Sequence, residues 1–113
     1  MEEPGMKHQV TKAHRKEFDP APRAARGSIV VFERFGPTNP AWFFGRDPEG
    51  VCGYFPVGWF SIDGAKARAL RSYDATELTV AAESYVEVVE RYGQWVLAVD
   101  ESGNQGWVPE ECL

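Results

Sequence analysis

Cysteine and histidine are scarce in this 113-residue sequence, which contains two of each. Cys52 and Cys112 form no CxxC pair and lack the clustered spacing of a disulfide framework, so we expect free thiols. His8 and His14 have no cluster of further ligands around them, which disfavours a bound metal. The sequence therefore predicts neither a metal site nor a cofactor.

Long apolar runs and catalytic motifs are missing as well. No run approaches the roughly 18 to 20 apolar residues that cross a bilayer, and the opening MEEPGMKHQV has no apolar signal-peptide stretch. We expect no membrane partner and a cytoplasmic location. The sequence has no glycine-rich phosphate loop, and neither cysteine has a histidine at an equivalent point nearby, so we expect that the protein is not an enzyme.

Charge is distributed unevenly along the chain. Residues 1–60 carry eight basic and seven acidic side chains, for a net charge of +1, whereas residues 61–113 carry four basic and ten acidic ones, for −6. The basic side chains near the start could form a nucleic-acid patch. Because the chain as a whole is acidic and would repel phosphate, we expect a solvated or internally docked basic face and no nucleic-acid partner.

What the sequence does contain is an internal repeat that begins at a tryptophan. The segments Trp42–Phe60 and Trp95–Leu113 align without a gap. Such a duplication indicates that one small unit is built twice. The shared residues occupy the pairs Trp42/Trp95, Asp47/Asp100, Gly50/Gly103, Gly53/Gly106 and Pro56/Pro109.

Turn residues divide each copy into short strands. Ser28–Phe35 is rich in β-branched and aromatic residues and predicts a strand. Asp47–Gly50 has the composition of a hairpin turn, in which the glycine supplies a positive φ. We expect five short strands per copy and an all-β fold. The predicted organisation is a flexible tail at 1–6, a first unit at 7–61, a short linker at 62–66 and a second unit at 67–113.

The second copy resembles the Src-homology-3 (SH3) family, and so in part does the first. The family pattern begins ALYDY, continues through ELSF and a tryptophan pair, and ends near a G-aromatic-[IV]-P motif. This resemblance implies tandem SH3 domains of a variant, bacterial type, as two consecutive small five-stranded barrels packed close together. The matching residues are Ala69, Leu70, Tyr73, Glu77–Val80, Trp95, Ala98 and Gly106–Pro109 in the second copy, and Trp42–Arg46, Gly53–Pro56, Trp59 and Phe60 in the first.

The resemblance also implies a peptide-binding groove, because SH3 domains hold extended, proline-rich peptides between aromatic ridges. Arg71 and Cys112 replace two groove tyrosines of the second copy, which also lacks an acidic cluster between its first two strands, so the first groove is expected to be better preserved. The same aromatic residues could instead serve packing alone. The candidate binding residues are Trp42, Tyr54, Pro56 and Trp59 in the first copy and Tyr73, Trp95, Trp107 and Pro109 in the second.

These observations predict a non-catalytic protein-interaction module that binds a proline-rich or other extended peptide through its aromatic grooves. The alternative is a structural or assembly pair with degenerate grooves, which recognises a partner protein through a cleft between the barrels or associates with itself. The expected partner is a protein or peptide, and the expected state is a monomer or weak homodimer.

Overall fold

A computed structural model describes residues 7–17 and 19–113. The expected tail at 1–6 lies outside the described residues. The chain divides into two compact units, each described separately below. Unit 1 combines the N-terminal part of the chain, up to Asp19, with Thr76–Leu113, and unit 2 is the continuous stretch Pro20–Ala75.

The described residues form strands and two short 3-10 helices, and no α-helix is found among them, so the all-β prediction is confirmed. Strand pairing gives three sheets and no closed barrel within this part of the chain. In chain order the elements are β1 (Lys7–Gln9), β2 (Arg23–Ala24), β3 (Ile29–Phe35), β4 (Trp42–Arg46), β5 (Cys52–Pro56), η1 (Val57–Trp59), β6 (Phe60–Asp63), β7 (Lys66–Ala69), β8 (Tyr73–Asp74), β9 (Tyr85–Tyr92), β10 (Trp95–Asp100), β11 (Gln105–Pro109) and η2 (Glu110–Cys112).

Unit 1 contains an antiparallel sheet with the strand order β1-β9-β10-β11. Alternate residues of these strands point to one face, and the aliphatic ones pack there into a core. Val10, which follows β1, is completely buried in this core. The other members are Leu78, Val80, Val86, Val88, Val96, Ala98 and Val108, with Leu113 packed against them.

Unit 2 contains a five-stranded antiparallel sheet with the order β5-β4-β3-β7-β6, and a two-stranded pair of β2 with β8. Aromatic side chains dominate its interior. The rings of Phe43 and Phe55 stack with their centroids 5.2 Å apart, and Phe60 meets Phe43 edge-on at 5.4 Å. Pairs in these geometries stabilise a core beyond the area that they bury.

The repeated aspartate and glycine of the sequence form the same turn in both units. The Asp47 carboxylate accepts hydrogen bonds from the backbone N–H groups of Glu49 and Val51, each at 2.9 Å, and Gly50 has a φ of +88°. The Asp100 carboxylate accepts from two backbone N–H groups in the same way. The hairpin predicted at Asp47–Gly50 is confirmed, and its duplication accounts for the conserved spacing within the repeat.

The repeated Gly53 and Gly106 lie where a second segment approaches the sheet. A Cβ on Gly53 would come within 2.6 Å of Pro22, and one on Gly106 within 2.8 Å of the Thr76 carbonyl oxygen. Both distances are shorter than real Cβ contacts allow. These glycines therefore permit the close approach of the second segment, which a side chain would prevent.

The division into units differs from the predicted boundaries of 7–61 and 67–113. In place of a linker at 62–66, the chain forms a hairpin in which Asp63 pairs with Lys66 and Gly64 has a φ of +60°. Strand β7 consequently belongs to the sheet of unit 2, where it pairs with β3 and β6. A two-residue hairpin closes with little loss of chain entropy, so β7 pairs with its immediate neighbour rather than with the distant β9.

Strand β1 lies beside β9 in the sheet of unit 1, although the predicted boundaries placed its residues in the first unit. Lys7, His8 and Gln9 pair with Glu87, Val86 and Tyr85. The N-terminal segment thus completes the C-terminal unit, although 75 residues lie between the end of β1 at Gln9 and the start of β9 at Tyr85.

Candidate functional site

An open groove of about 640 Å³ lies on unit 1 around Trp95. Trp95 and Pro109 pair across β10 and β11 and form its apolar floor. The remaining lining residues come from the N-terminal segment, the β9–β10 turn and η2, and they are His14, Glu17, Gln94, Glu110 and Glu111.

Backbone hydrogen bonds hold the N-terminal side of the groove in place. The N–H of Val10 donates to the Ser84 carbonyl at 2.7 Å, and the N–H of Thr11 donates to that of Cys112 at 2.7 Å. His14 exchanges two bonds with Val80, at 3.0 and 2.8 Å. This pairing fixes His14 at the groove and brings Glu17, three residues later, to the same side.

The opposite side is fixed by the tight turn between β9 and β10. Gln94 has a φ of +70°, which is uncommon for a residue with a side chain. Its carbonyl oxygen accepts a hydrogen bond of 2.9 Å from the backbone N–H of Glu110, the first residue of η2. The turn and η2 therefore form one backbone frame around Trp95 and Pro109.

The side chain of His14 makes a short polar contact with Glu77. Its Nε2 lies 2.8 Å from Oε1 of Glu77, and the two side chains are only 11% and 8% exposed. An ionised carboxylate can only accept, so in that state of Glu77 the proton of this hydrogen bond is donated by Nε2. The imidazole also meets the Trp95 ring edge-on, with centroids 5.8 Å apart. His14 thus connects a buried carboxylate to the aromatic floor of the groove.

The rim of the groove is acidic. Glu17, Glu110 and Glu111 line it, and none of the lysines and arginines that the structure describes does so. Basic side chains lie next to two of these acids: Lys12 is 3.5 Å from Glu111, and Arg91 is 3.6 Å from Glu110. Both ion pairs are largely exposed and hence contribute little, so a charged ligand can displace them at small cost.

The predicted residues of the first copy lie in unit 2, and most of them are buried. Trp42 and Pro56 pair across β4 and β5, and both are buried, as is Trp59, whereas Tyr54 is partly buried. Arg71 covers the Trp59 ring, with its guanidinium carbon 3.6 Å from the ring centroid. This pattern differs from the expectation that the first copy holds the better preserved groove.

Tyr73 also lies in unit 2 rather than beside Trp95, the residue with which the sequence grouped it. Its hydroxyl donates a 2.8 Å hydrogen bond to the carbonyl of Tyr54, and its ring meets Trp59 edge-on at 5.7 Å. Tyr73 is buried by these contacts. Tyr73 therefore lies among the aromatic residues of the first copy, whereas His14 lies next to Trp95 in unit 1.

Trp107 is a core residue of unit 1. It is almost fully buried. Its backbone N–H donates to the Thr76 carbonyl at 2.9 Å, and its backbone carbonyl accepts from the N–H of Leu78 at 3.0 Å. Of the four residues predicted for the second copy, only Trp95 and Pro109 line the groove. The polar lining residues were not predicted, because His14 and Glu17 belong to a segment that was assigned to the first copy. In the second copy the resemblance pointed only to aromatic residues and a proline.

Cys112 is buried at the end of η2. Burial raises the pKa of its thiol above the ordinary value, and the charge of Glu111 raises it further, while Lys12 lowers it. The thiol is therefore protonated near neutral pH and unreactive. Cys52, the other free cysteine, is exposed on β5.

One comparison with known proteins gives a match. Residues 68–113 match the family model described as the bacterial SH3 domain. SH3 domains generally mediate protein interactions. No curated protein and no solved structure matches the chain significantly. The matched range begins in unit 2 and, from Thr76 onward, continues in unit 1.

Neither a cluster of metal ligands nor a membrane-spanning helix is found in the described part of the chain. Within residues 7–17 and 19–113, no cluster of three or more histidine, cysteine, aspartate or glutamate side chains could hold a metal ion. In the same ranges, no helix has the length and apolar character that crossing a membrane requires.

Proposed function

We propose that this protein is a non-catalytic, cytoplasmic interaction module whose unit 1 groove binds an extended peptide carrying at least one basic side chain. The observation that carries the proposal is the combination of an apolar floor, Trp95 and Pro109, with a rim of three glutamates. The match of residues 68–113 to the bacterial SH3 domain supports it, because such domains generally bind other proteins.

The chemistry of the groove favours a particular kind of peptide. A flat indole beside a proline ring offers the apolar surface on which a polyproline II segment packs, and the stiffness of such a segment reduces the entropy lost on binding. A lysine or arginine of the peptide would lie close to Glu17, Glu110 and Glu111. Charges of opposite sign accelerate association and set the orientation of the peptide.

The test uses a fluorescein-labelled probe with the sequence APPRPPRPA and a matched probe, APPQPPQPA. We expect the arginine probe to bind and the glutamine probe to bind at least about fivefold more weakly, as expected for the loss of one charge-assisted contact. Trp95→Ala should abolish binding, and Trp42→Ala, in unit 2, serves as the matched control. Equal binding of both probes, or binding that survives Trp95→Ala, would contradict the proposal.

A second candidate role applies to unit 2. There Arg71 already covers Trp59, and Tyr73 is hydrogen-bonded to the backbone at Tyr54. An aromatic set that is filled by the chain's own side chains fits a structural or assembly role. Retained probe binding by Trp42→Ala supports this role, and its loss with the fold intact would argue for a second peptide site.

A further inference from the structure

Only two histidines occur in the sequence, and one of them lines the groove. We infer that His14 is a charge switch for peptide recognition: the groove accepts a basic peptide while the imidazole is neutral and releases it when the imidazole is protonated. The inference rests on the proposed function, since it concerns the regulation of the same groove.

The geometry gives His14 direct influence over the floor of the site. The ring is held between Glu77, at 2.8 Å, and Trp95, at a centroid distance of 5.8 Å. Two backbone hydrogen bonds with Val80 prevent the segment from moving away when the charge changes. An imidazolium would therefore remain beside the indole that the peptide must contact.

The charges around His14 determine the sign of the effect. The acidic groups near it are Glu77, which bonds to it, and Glu17, Glu110 and Glu111, which share the groove. The basic groups are Lys12, Arg15 and Lys16 on its own segment, and Arg91 beside Glu110. Protonation cancels one acidic charge and places a cation where a ligand cation would bind, so it opposes binding.

The partial burial of the pair strengthens this effect. Charges that are shielded from water interact more strongly than charges at an open surface, because the effective dielectric constant around them is lower. Histidine is also the side chain that ordinarily changes charge between about pH 5 and 8.

The test measures the affinity for the APPRPPRPA probe by fluorescence anisotropy at about pH 8 and about pH 6. We expect binding to weaken roughly fivefold at the lower pH in the unmodified protein. His14→Gln keeps an amide donor for Glu77 but cannot become charged. The affinity of this variant for the probe should therefore differ less than about twofold between the two pH values. His8→Gln, which alters the other histidine, should keep the full pH dependence.

A second measurement stays informative even if His14→Gln does not fold. Linkage is reciprocal, so a peptide that prefers neutral His14 must make this histidine harder to protonate. In a nuclear magnetic resonance titration of the unmodified protein, saturating probe should move the His14 midpoint to lower pH and leave that of His8 in place.

The outcomes separate this inference from the proposed function. If the probe binds with the same affinity at both pH values, or if saturating probe leaves the His14 midpoint unchanged, the switch is overturned and the interaction module stands. If the probe binds at neither pH, the proposed function is overturned and the switch falls with it.

Discussion

Replacing Val10 by alanine tests whether the N-terminal segment belongs to the C-terminal unit. Val10 is 0% exposed and packs in the aliphatic core of unit 1. Removing about two buried carbon groups costs roughly 0.8 kcal/mol each, and the cavity adds to this, so we expect a loss of about 2 kcal/mol in the free energy of unfolding. For a chain of this size that loss lowers Tm by roughly 10 °C.

Val31→Ala is the matched control for this experiment. Val31 lies on β3 and is 40% exposed, so the same truncation there should change the free energy of unfolding by no more than about 0.5 kcal/mol. Thermal unfolding followed by circular dichroism measures both variants. A loss at Val10 as small as that at Val31 would refute the reasoning.

Hydrogen exchange of Val10→Ala then shows which strands lose stability. Val10→Ala should reduce the protection of amides in β9 and β10, because the core beneath those strands includes Val10. In the division that the sequence suggested, Val10 would instead support the strands of residues 7–61. Loss of protection confined to β3 and β4 would favour that division over the structure.

Three further predictions concern single side chains. Arg71→Ala removes the cation from the face of Trp59 and should lower the free energy of unfolding by about 1 kcal/mol. It should also make tryptophan fluorescence easier to quench with acrylamide, and unchanged quenching would contradict the contact. Gly103→Ala should cost about 1 kcal/mol in urea unfolding through its φ of +87° alone, since no atom lies within 4 Å of the added Cβ, and a neutral effect would argue against this turn. Cys112 should react with iodoacetamide at least about tenfold more slowly than Cys52, because it is buried and its raised pKa keeps the thiol protonated, and the two rates should converge in urea; equal rates in the native protein would contradict that burial.

Local features of the fold could be predicted because they depend on neighbouring residues. An aspartate followed three residues later by glycine encodes the same hairpin turn in both copies, at Asp47 and Asp100. The alternation of buried and exposed residues in β9 likewise follows from the period-2 pattern of a strand.

The partner of each strand could not be predicted, because alternation states which face is buried and not which sheet the strand joins. Both Lys7–Gln9 and Lys66–Ala69 are short strands that suit the first position of a unit. The hairpin at Gly64 pairs Lys66–Ala69 with the preceding strand, β6, and so places this segment in unit 2. The position beside β9 is then taken by the N-terminal segment, a pairing that only the structure reveals.

The candidate site, too, could be predicted only in part from the sequence. Trp95 and Pro109 could be found from the repeat, since each copy contains the pair at the same spacing. No pattern in the sequence places His14 or Glu17 beside them, because more than 75 residues separate these side chains from Trp95. Consequently His14 and Glu17 reach the groove through strand pairing rather than through any motif, whereas Glu110 and Glu111 directly follow Pro109 in the sequence.

The most direct test of the central claim uses the four tryptophans as reporters. Each indole N–H gives a separate signal in a nitrogen–proton correlation spectrum, and variants with single tryptophan replacements assign them. On addition of the APPRPPRPA probe, we predict that the signal of Trp95 shifts progressively to saturation, whereas those of Trp42 and Trp59, covered within unit 2, stay in place. A shift of Trp42 or Trp59 with Trp95 unmoved would contradict the account.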